Sequence, residues 1–307
     1  MRVAFLGSDR WSVPSLEALA GSPHEVALVM TREPKPAGRG SRLTPTPVAE
    51  AARAIGLPLA EPPTVKSGEG LEALRDSAPE ALAVVAYGEI LPAEILDLPT
   101  RLPVNLHFSL LPELRGAAPV QHAILRGLVA TGVTTIRMDE GMDSGPVLLQ
   151  AEEAILDDDD AGSLGARLAS RGATLLVETL SRLEAGDLEE RPQDPARATV
   201  APKITAADRG LDWSEPADAV VRRVRALAPE PGASARFGGK VLKVFRAHAV
   251  EGSGRPGEVA VVSNDGLAVG AGEDLVALDE VAPEGRSRMS GGEFVRGYRP
   301  EPGHALE

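Results

Sequence analysis

Short apolar runs without polar interruption, alternating with helix-patterned stretches, most constrain what this chain can fold into. RVAFLG (2–7), EVALVMT (25–31) and ALAVVAY (81–87) lack the in/out alternation of a half-exposed strand, which is the pattern of parallel strands covered on both faces. Between the first two lies VPSLEALAG (13–21), and after the second PVAEAARAIG (47–56), each with proline near its start and glycine at its end, as helices have. The order predicts an α/β unit, Rossmann-like, with a mostly parallel sheet and helices on both faces. PVNLHF (103–108) and TGVTTIRMD (131–139) are further strands, with APVQHAILRG (118–127) a helix between them. GPVLLQAEEAIL (145–156) adds antiparallel strand, and a long helix covers 163–185. The four aspartates before it, 157–160, read as a solvated turn that complements the helix's positive end rather than as a metal site.

The pattern then changes. GDLEERPQDPARATVAPKIT (186–205) has three prolines and no periodicity, so it reads as a linker. EPADAVVRRVRALA (215–228) suits a helix, and GGKVLKVFRAHAV, GEVAVVSN, GLAVGAG and DLVALDEVA are short β pieces separated by glycines. They predict a small C-terminal β-barrel, OB-like. The expected domains are 1–188 and 207–307, joined by a linker at 189–206. A length of 307 residues suits two domains.

Composition excludes several function classes. With no cysteine there are no disulfides, thiolate metal sites or cysteine nucleophiles, and a cytoplasmic location with no membrane partner is expected. FLGSDRW lacks the second glycine of a dinucleotide fingerprint, which argues against a nicotinamide oxidoreductase. The five histidines are scattered without metal-ligand spacing, and there is no GxSxG or P-loop. The formal net charge of −13 opposes nucleic-acid binding, yet 220–248 holds seven basic residues against one acidic. Such segregation allows a basic face toward a polyanion.

One strand is chemically unusual. VNLHFSLLP (104–112) alternates Asn105, His107 and Ser109 with Leu106, Phe108 and Leu110. On a strand, i, i+2 and i+4 share a face, so Asn105 and His107 point the same way, and Ser109 joins them if the strand reaches it. The turn RMDEGMDSGP (137–146) follows the neighbouring strand, and its Asp143 can reach the imidazole, orienting it and favouring its protonated form. From the residues alone, this polar face serves structure as readily as chemistry.

NLHFSLLPELRGAAPVQHAILRG followed by TGVTTIRMDEGMDSGPVL resembles the formyltransferase family that uses 10-formyl-tetrahydrofolate. TREPKPAGRGSRLTPTPV (31–48) and VVAYGEILP (84–92) are similar to the tRNA-engaging loop and the folate-pocket segment of those members that formylate methionyl-tRNA. The resemblance runs nearly end to end. It implies catalytic roles for Asn105, His107 and Asp143, and folate contacts at Ser109, Leu110, Leu111, Pro112, Tyr87, Gly88 and Ile90. It implies tRNA contacts at Lys35, Arg39, Arg42, Lys203, Lys240 and Lys243. The partners implied are initiator methionyl-tRNA and 10-formyl-tetrahydrofolate as formyl donor, with no metal, and a monomer is expected. Two alternatives share the scaffold: transfer to a small amine such as an amino-sugar nucleotide, or non-catalytic RNA binding. Glu113, Leu114 and Glu230 depart from the family pattern, which has a basic and an aromatic residue after SLLP and a tryptophan at the last position.

Overall fold

The computed structural model describes residues 1–37, 42–66 and 68–307. Contacts divide it into two compact units. Met1–Ala117, Ala130–Ala154 and Gly165–Ala201 make the first, and Ala118–Val129, Ile155–Leu164 and Pro202–Glu307 the second.

The first unit opens with β1 (Arg2–Gly7), α1 (Val13–Ala20) and β2 (Glu25–Met30), followed by a small hairpin of β3 (Lys35–Ala37) and β4 (Arg42–Thr44). α2 (Pro47–Ile55) comes next, started by the Thr46 side chain accepting from the Ala49 N–H and ended by Gly56 in the left-handed region. β5 (Leu59–Ala60), α3 (Gly68–Asp76), β6 (Ala81–Val85), α4 (Ala93–Leu96) and β7 (Pro103–His107) complete the parallel part. After α5 (Pro119–Leu125), which packs in the second unit, come β8 (Ala130–Arg137), β9 (Val147–Ala154) and α6 (Ala161–Ala185). The sheet order is β5-β2-β1-β6-β7-β8-β9. The first five strands are parallel, whereas β8 runs antiparallel to both its neighbours.

Both faces of the central strands are covered, which explains their unbroken apolar runs. On one face Ala4, Leu6, Met30, Leu82 and Val84 pack with Leu71 and Leu74 of α3, Ile95 of α4 and the Tyr87 ring. On the other face α6 comes close through small residues. A Cβ at Gly172 would lie 2.7 Å from a Leu106 methyl, and one at Gly165 would lie 2.2 Å from the Trp11 ring. Phe108 meets the same ring edge-on at 5.9 Å. The chain reverses sides between β1 and β6, and ligands of open α/β sheets bind beyond the strand ends at such a point.

The acidic turn before α6 is only partly solvated. Asp157 and Asp158 are exposed, but Asp159 is buried and accepts from the Leu156 N–H and the Ser163 hydroxyl. Asp160 accepts from the Ser163 N–H inside the first turn. The proline-rich segment is not a free spacer either. Arg191 exchanges two 2.8 Å backbone bonds with Val147, Val200 bridges Arg115, and residues to Ala201 pack within the first unit.

In the second unit α7 (Ala217–Leu227) covers an antiparallel sheet of β10 (Ala233–Phe237), β11 (Lys240–Val250), β12 (Val259–Val262), β13 (Leu267–Gly270), β14 (Leu275–Pro283) and β15 (Met289–Ser290). α8 (Gly291–Tyr298) follows, started by a capping box between Ser290 and Glu293. The strand path is β10-β11-β14-β13-β12. The last residues bridge both of its edges, Leu306 to Phe237 of β10 and Ala305 to Glu258 beside β12. The expected barrel thus takes the form of an antiparallel sheet joined edge to edge through the tail. Leu242, Val244, Val269, Val276 and Leu278 fill it with Val220, Val224 and Phe294.

Candidate active site

β7 runs antiparallel to β8, which sets Asn105 opposite Ile136 and His107 opposite Thr134. All four side chains therefore share one face of the sheet. The loop between β8 and β9 then carries Asp143 back to this face. Asp143 Oδ2 lies 3.5 Å from His107 Nδ1, and Oδ1 accepts from Asn105 Nδ2 at 3.4 Å. His107 is 6% exposed, so its orientation is fixed by these few partners.

The other ring nitrogen, Nε2, donates to the Leu114 carbonyl at 2.9 Å. Both ring nitrogens thus face oxygens, Nε2 in a hydrogen bond and Nδ1 at ion-pair distance. Two backbone distortions deliver those oxygens. Leu114 has φ +60° and Asp143 φ +52°, a region uncommon for non-glycine residues and concentrated at functional sites. Asp143 Oδ2 also accepts from the Gly116 N–H at 2.8 Å. The loop after β7 therefore supplies an acceptor to the imidazole and a donor to the carboxylate.

That loop is held from two directions. From below, the buried Thr134 hydroxyl donates to the Ser109 carbonyl at 2.6 Å and accepts from the Leu111 N–H at 3.1 Å and from Gln150 Nε2 at 3.0 Å. From the side, the Leu114 N–H donates to Thr199 Oγ1 at 2.9 Å, the Arg115 N–H to the Thr199 carbonyl at 2.8 Å, and the Ala201 N–H to the Arg115 carbonyl at 2.7 Å. Gln193 adds bonds to both loops, with its amide facing the Asp143 carbonyl and the Arg115 guanidinium. The sequence signals none of this: side-chain amides and hydroxyls bonded to remote backbone leave no periodic trace.

The residues expected around folate separate into two groups. In the SLLP stretch, Ser109 is fully buried and its hydroxyl donates to the Glu113 carbonyl at 2.6 Å. β7 ends at His107, so Ser109 leaves the strand face and builds the turn. Leu111 packs with Ile136 and Val147, Leu110 lies over Gly132, and Pro112 is buried. At the end of β6 the arrangement is more open. Gly88 is exposed with φ +84° beneath the Arg32 guanidinium, and Ile90 is 78% exposed. The Tyr87 hydroxyl is buried without a hydrogen-bond partner among the described residues. Burial, and then the nearby Glu89 charge, push the phenol above its usual range.

The residues expected to meet tRNA are divided between the units. Lys35 is exposed on β3 and Arg42 belongs to β4, while Arg39 lies outside the described residues. Lys203, Lys240 and Lys243 are exposed in the second unit. The basic 220–248 segment is less free than its charge suggests. Arg223, Arg225, Arg236 and Lys243 donate to the backbone carbonyls of Asp208, Asp159, Gly239 and Pro231. Of the departing residues, Glu113 pairs with Arg197 at 3.2 Å and Leu114 is buried and supplies the carbonyl to His107.

An amide, an imidazole and a carboxylate converge at the end of a mostly parallel sheet, an arrangement that holds hydrogen-bond donors beside a proton acceptor. Residues 1–180 match the model of the formyl transferase family and residues 203–299 that of its C-terminal domain, and the chain belongs to this family. It is 46% identical over 306 residues to the methionyl-tRNA formyltransferase of Thermus thermophilus, covering 100% of this chain and 99% of that one. Against the methionyl-tRNA formyltransferase of Heliobacterium modesticaldum the identity is 43% over 313 residues, covering 99% of both. Among solved structures, HypX from Aquifex aeolicus in complex with tetrahydrofolic acid aligns with a TM-score of 0.68 at 22% identity, over 97% of this chain and 48% of HypX. An N-formyltransferase from Helicobacter canadensis, solved with folinic acid and dTDP-3-aminofucose, aligns with a TM-score of 0.67 at 16% identity, over 90% of this chain and 98% of that one. These two likenesses concern the fold.

Proposed function

We propose that this formyl transferase moves the formyl group of 10-formyl-tetrahydrofolate to the α-amine of methionine on initiator tRNA, for translation initiation. The observation that carries the reading is the full-length match, at 46% identity, to relatives named for methionyl-tRNA. The folate donor supplies a formyl group already activated on nitrogen. As the acceptor amine adds to the formyl carbon, negative charge builds on the formyl oxygen. Asn105 Nδ2 and His107 Nδ1–H are the donors this chain offers there: Nε2 is held by the Leu114 carbonyl at 2.9 Å, whereas Nδ1 lies 3.5 Å from Asp143 Oδ2, long enough for its N–H to be shared with an oxyanion. Such donors typically contribute about 3–4 kcal/mol each. Asp143 orients the imidazole and takes up the proton lost by the amine, directly or through water. Collapse of the tetrahedral centre then breaks the bond from the formyl carbon to the folate nitrogen, which takes a proton and leaves as tetrahydrofolate. The buried, unpartnered Tyr87 hydroxyl supports a polar ligand beside β6, with Gly88 and Ile90 at its border. Lys35, Arg39 and Arg42 would meet the tRNA from the first unit, and Lys203, Lys240 and Lys243 from the second, largely through phosphates. The protein would act as a monomer in the cytoplasm.

The test is formyl transfer to charged initiator tRNA, charged elongator methionine tRNA and free methionine, with 10-formyl-tetrahydrofolate present. Transfer to initiator tRNA is expected to dominate, and transfer to none of the three would overturn the function. In single turnover, His107→Ala should lose about 100- to 1,000-fold in rate. A near-normal rate would remove His107 from the chemistry.

A further inference from the structure

Segment 189–206 reads in the sequence as a spacer, yet its Gln193 touches both loops that hold the reacting groups. The Gln193 amide nitrogen donates to the Asp143 carbonyl and to the Gly145 carbonyl, each at 2.7 Å. The amide oxygen accepts from Arg115 Nη2 at 2.7 Å and Nε at 3.1 Å. Both amide protons and the oxygen are thus used. One side chain ties the hairpin loop that bears Asp143 to the loop that supplies the Leu114 carbonyl and the Gly116 N–H.

We propose that Gln193 is a positioning residue for formyl transfer, acting through Asp143. Two features give the tie its leverage. Asp143 is held at φ +52°, a region aspartate enters more readily than most side chains but one still uncommon outside glycine and sensitive to local support. The Gln193 bond falls on the carbonyl of that same residue. Asp143 then meets His107 at 3.5 Å and Asn105 at 3.4 Å, distances at the outer edge of useful hydrogen bonding. A small relaxation of the loop therefore breaks the contacts that orient the imidazole. Arg115 extends the restraint, because its backbone pairs with Thr199 and Ala201 in the same segment. Among the described residues the hydrogen bonds of Gln193 reach none of the three catalytic side chains, so it acts through their placement.

The proposal rests on Asp143 being catalytic, and a double-mutant cycle in kcat separates the two claims. Asp143→Asn, Gln193→Ala and the double variant are measured with charged initiator tRNA and 10-formyl-tetrahydrofolate. Gln193→Ala should lower kcat about 10- to 100-fold with little change in either KM, and should cost less than about twofold in the Asp143→Asn background. The pH profile of kcat should also change shape in Gln193→Ala, which a purely structural role would leave unaltered. A Gln193→Ala enzyme at wild-type kcat, or one with the same loss in both backgrounds, would overturn the proposal. A wild-type rate for Asp143→Asn would overturn the underlying assignment instead. Gln193→Met fills similar volume without donors and runs the same cycle if the alanine variant is poorly folded. Gln193→Glu keeps the arginine partner but loses both donors, so it should behave as alanine does. Wild-type kcat in Gln193→Glu would show that the Arg115 contact, not the tie to Asp143, is what matters, and would likewise overturn the proposal.

Discussion

Replacing Thr134 by valine should uncouple the site's floor from its loop without opening a cavity. Valine matches threonine in shape, so the change removes one hydroxyl and its three hydrogen bonds. Gln150 Nε2 keeps a second acceptor, the Leu111 carbonyl at 2.8 Å. The Ser109 carbonyl and the Leu111 N–H lose their partner at Thr134 in a fully buried setting. A buried polar group left unpaired costs about 1–3 kcal/mol, so the two together predict a loss of about 2–6 kcal/mol. Thr134→Ser keeps the hydroxyl and removes one methyl, for a loss of about 1 kcal/mol. The assay is urea unfolding in a Trp213→Phe background, where Trp11 alone reports on the first unit, since the chain has two tryptophans. Because Thr134 lies opposite His107, formyl transfer per folded molecule should fall with it. If valine costs less than about 1 kcal/mol, or no more than serine, the reasoning from unpaired groups is wrong at this position.

Further outcomes are expected elsewhere. Tyr87→Phe should leave the free protein at least as stable, because the hydroxyl has no hydrogen-bond partner among the described residues, yet weaken binding of a folate analogue about 5- to 10-fold in calorimetry. The buried His24 imidazole is held below its ordinary value of 6.5 by burial first and by the Met1 ammonium second. Between its folded and unfolded values the unfolded chain binds the extra proton, so stability drops as pH falls below 6.5. Urea midpoints measured against pH should show that drop, and His24→Gln should flatten it. Gly165→Ala would place a methyl 2.2 Å from the rigid Trp11 ring. The strain of about 1–3 kcal/mol should exceed the helix-propensity gain of about 1 kcal/mol and lower the melting temperature. Arg39→Ala should reduce discrimination for initiator tRNA more than folate binding, and equal losses in both assays would refute that division.

The sequence carried the central sheet because each parallel strand is buried on both faces, so RVAFLG and ALAVVAY announce themselves. It carried the shared face of Asn105 and His107 because a strand's period is two. It could not say that β7 stops at His107, and so it left open whether Ser109 joins that face; the structure turns the Ser109 hydroxyl onto the Glu113 carbonyl. It could not show that Leu114 and Asp143 adopt positive φ, since neither is a glycine or an asparagine. Gln193 was hidden for a similar reason. Its partners lie 48 to 50 residues away in Gly145 and Asp143 and 78 away in Arg115, and they are reached by an amide that no pattern marks. Charge counting at 220–248 does not reveal that four of the cations also donate to backbone carbonyls.

The antiparallel reversal at β8 also bears on the order in which the site assembles. β8 and β9 are joined by residues 138–146, a loop whose closure costs little entropy, whereas each parallel pair waits for a longer crossover. The hairpin carrying Asp143 is therefore expected to form early, with its carboxylate not yet seated. Seating needs the Gly116 N–H and the ties from Gln193 to Ala201, contacts of high sequence separation that form late. Pulse-labelled hydrogen exchange during refolding should protect the β8–β9 amides first and those of Gly116 and Ala201 last. Simultaneous protection would refute that order. Catalytic geometry here would be the final step of folding, completed when a segment that resembles a spacer closes over the hairpin.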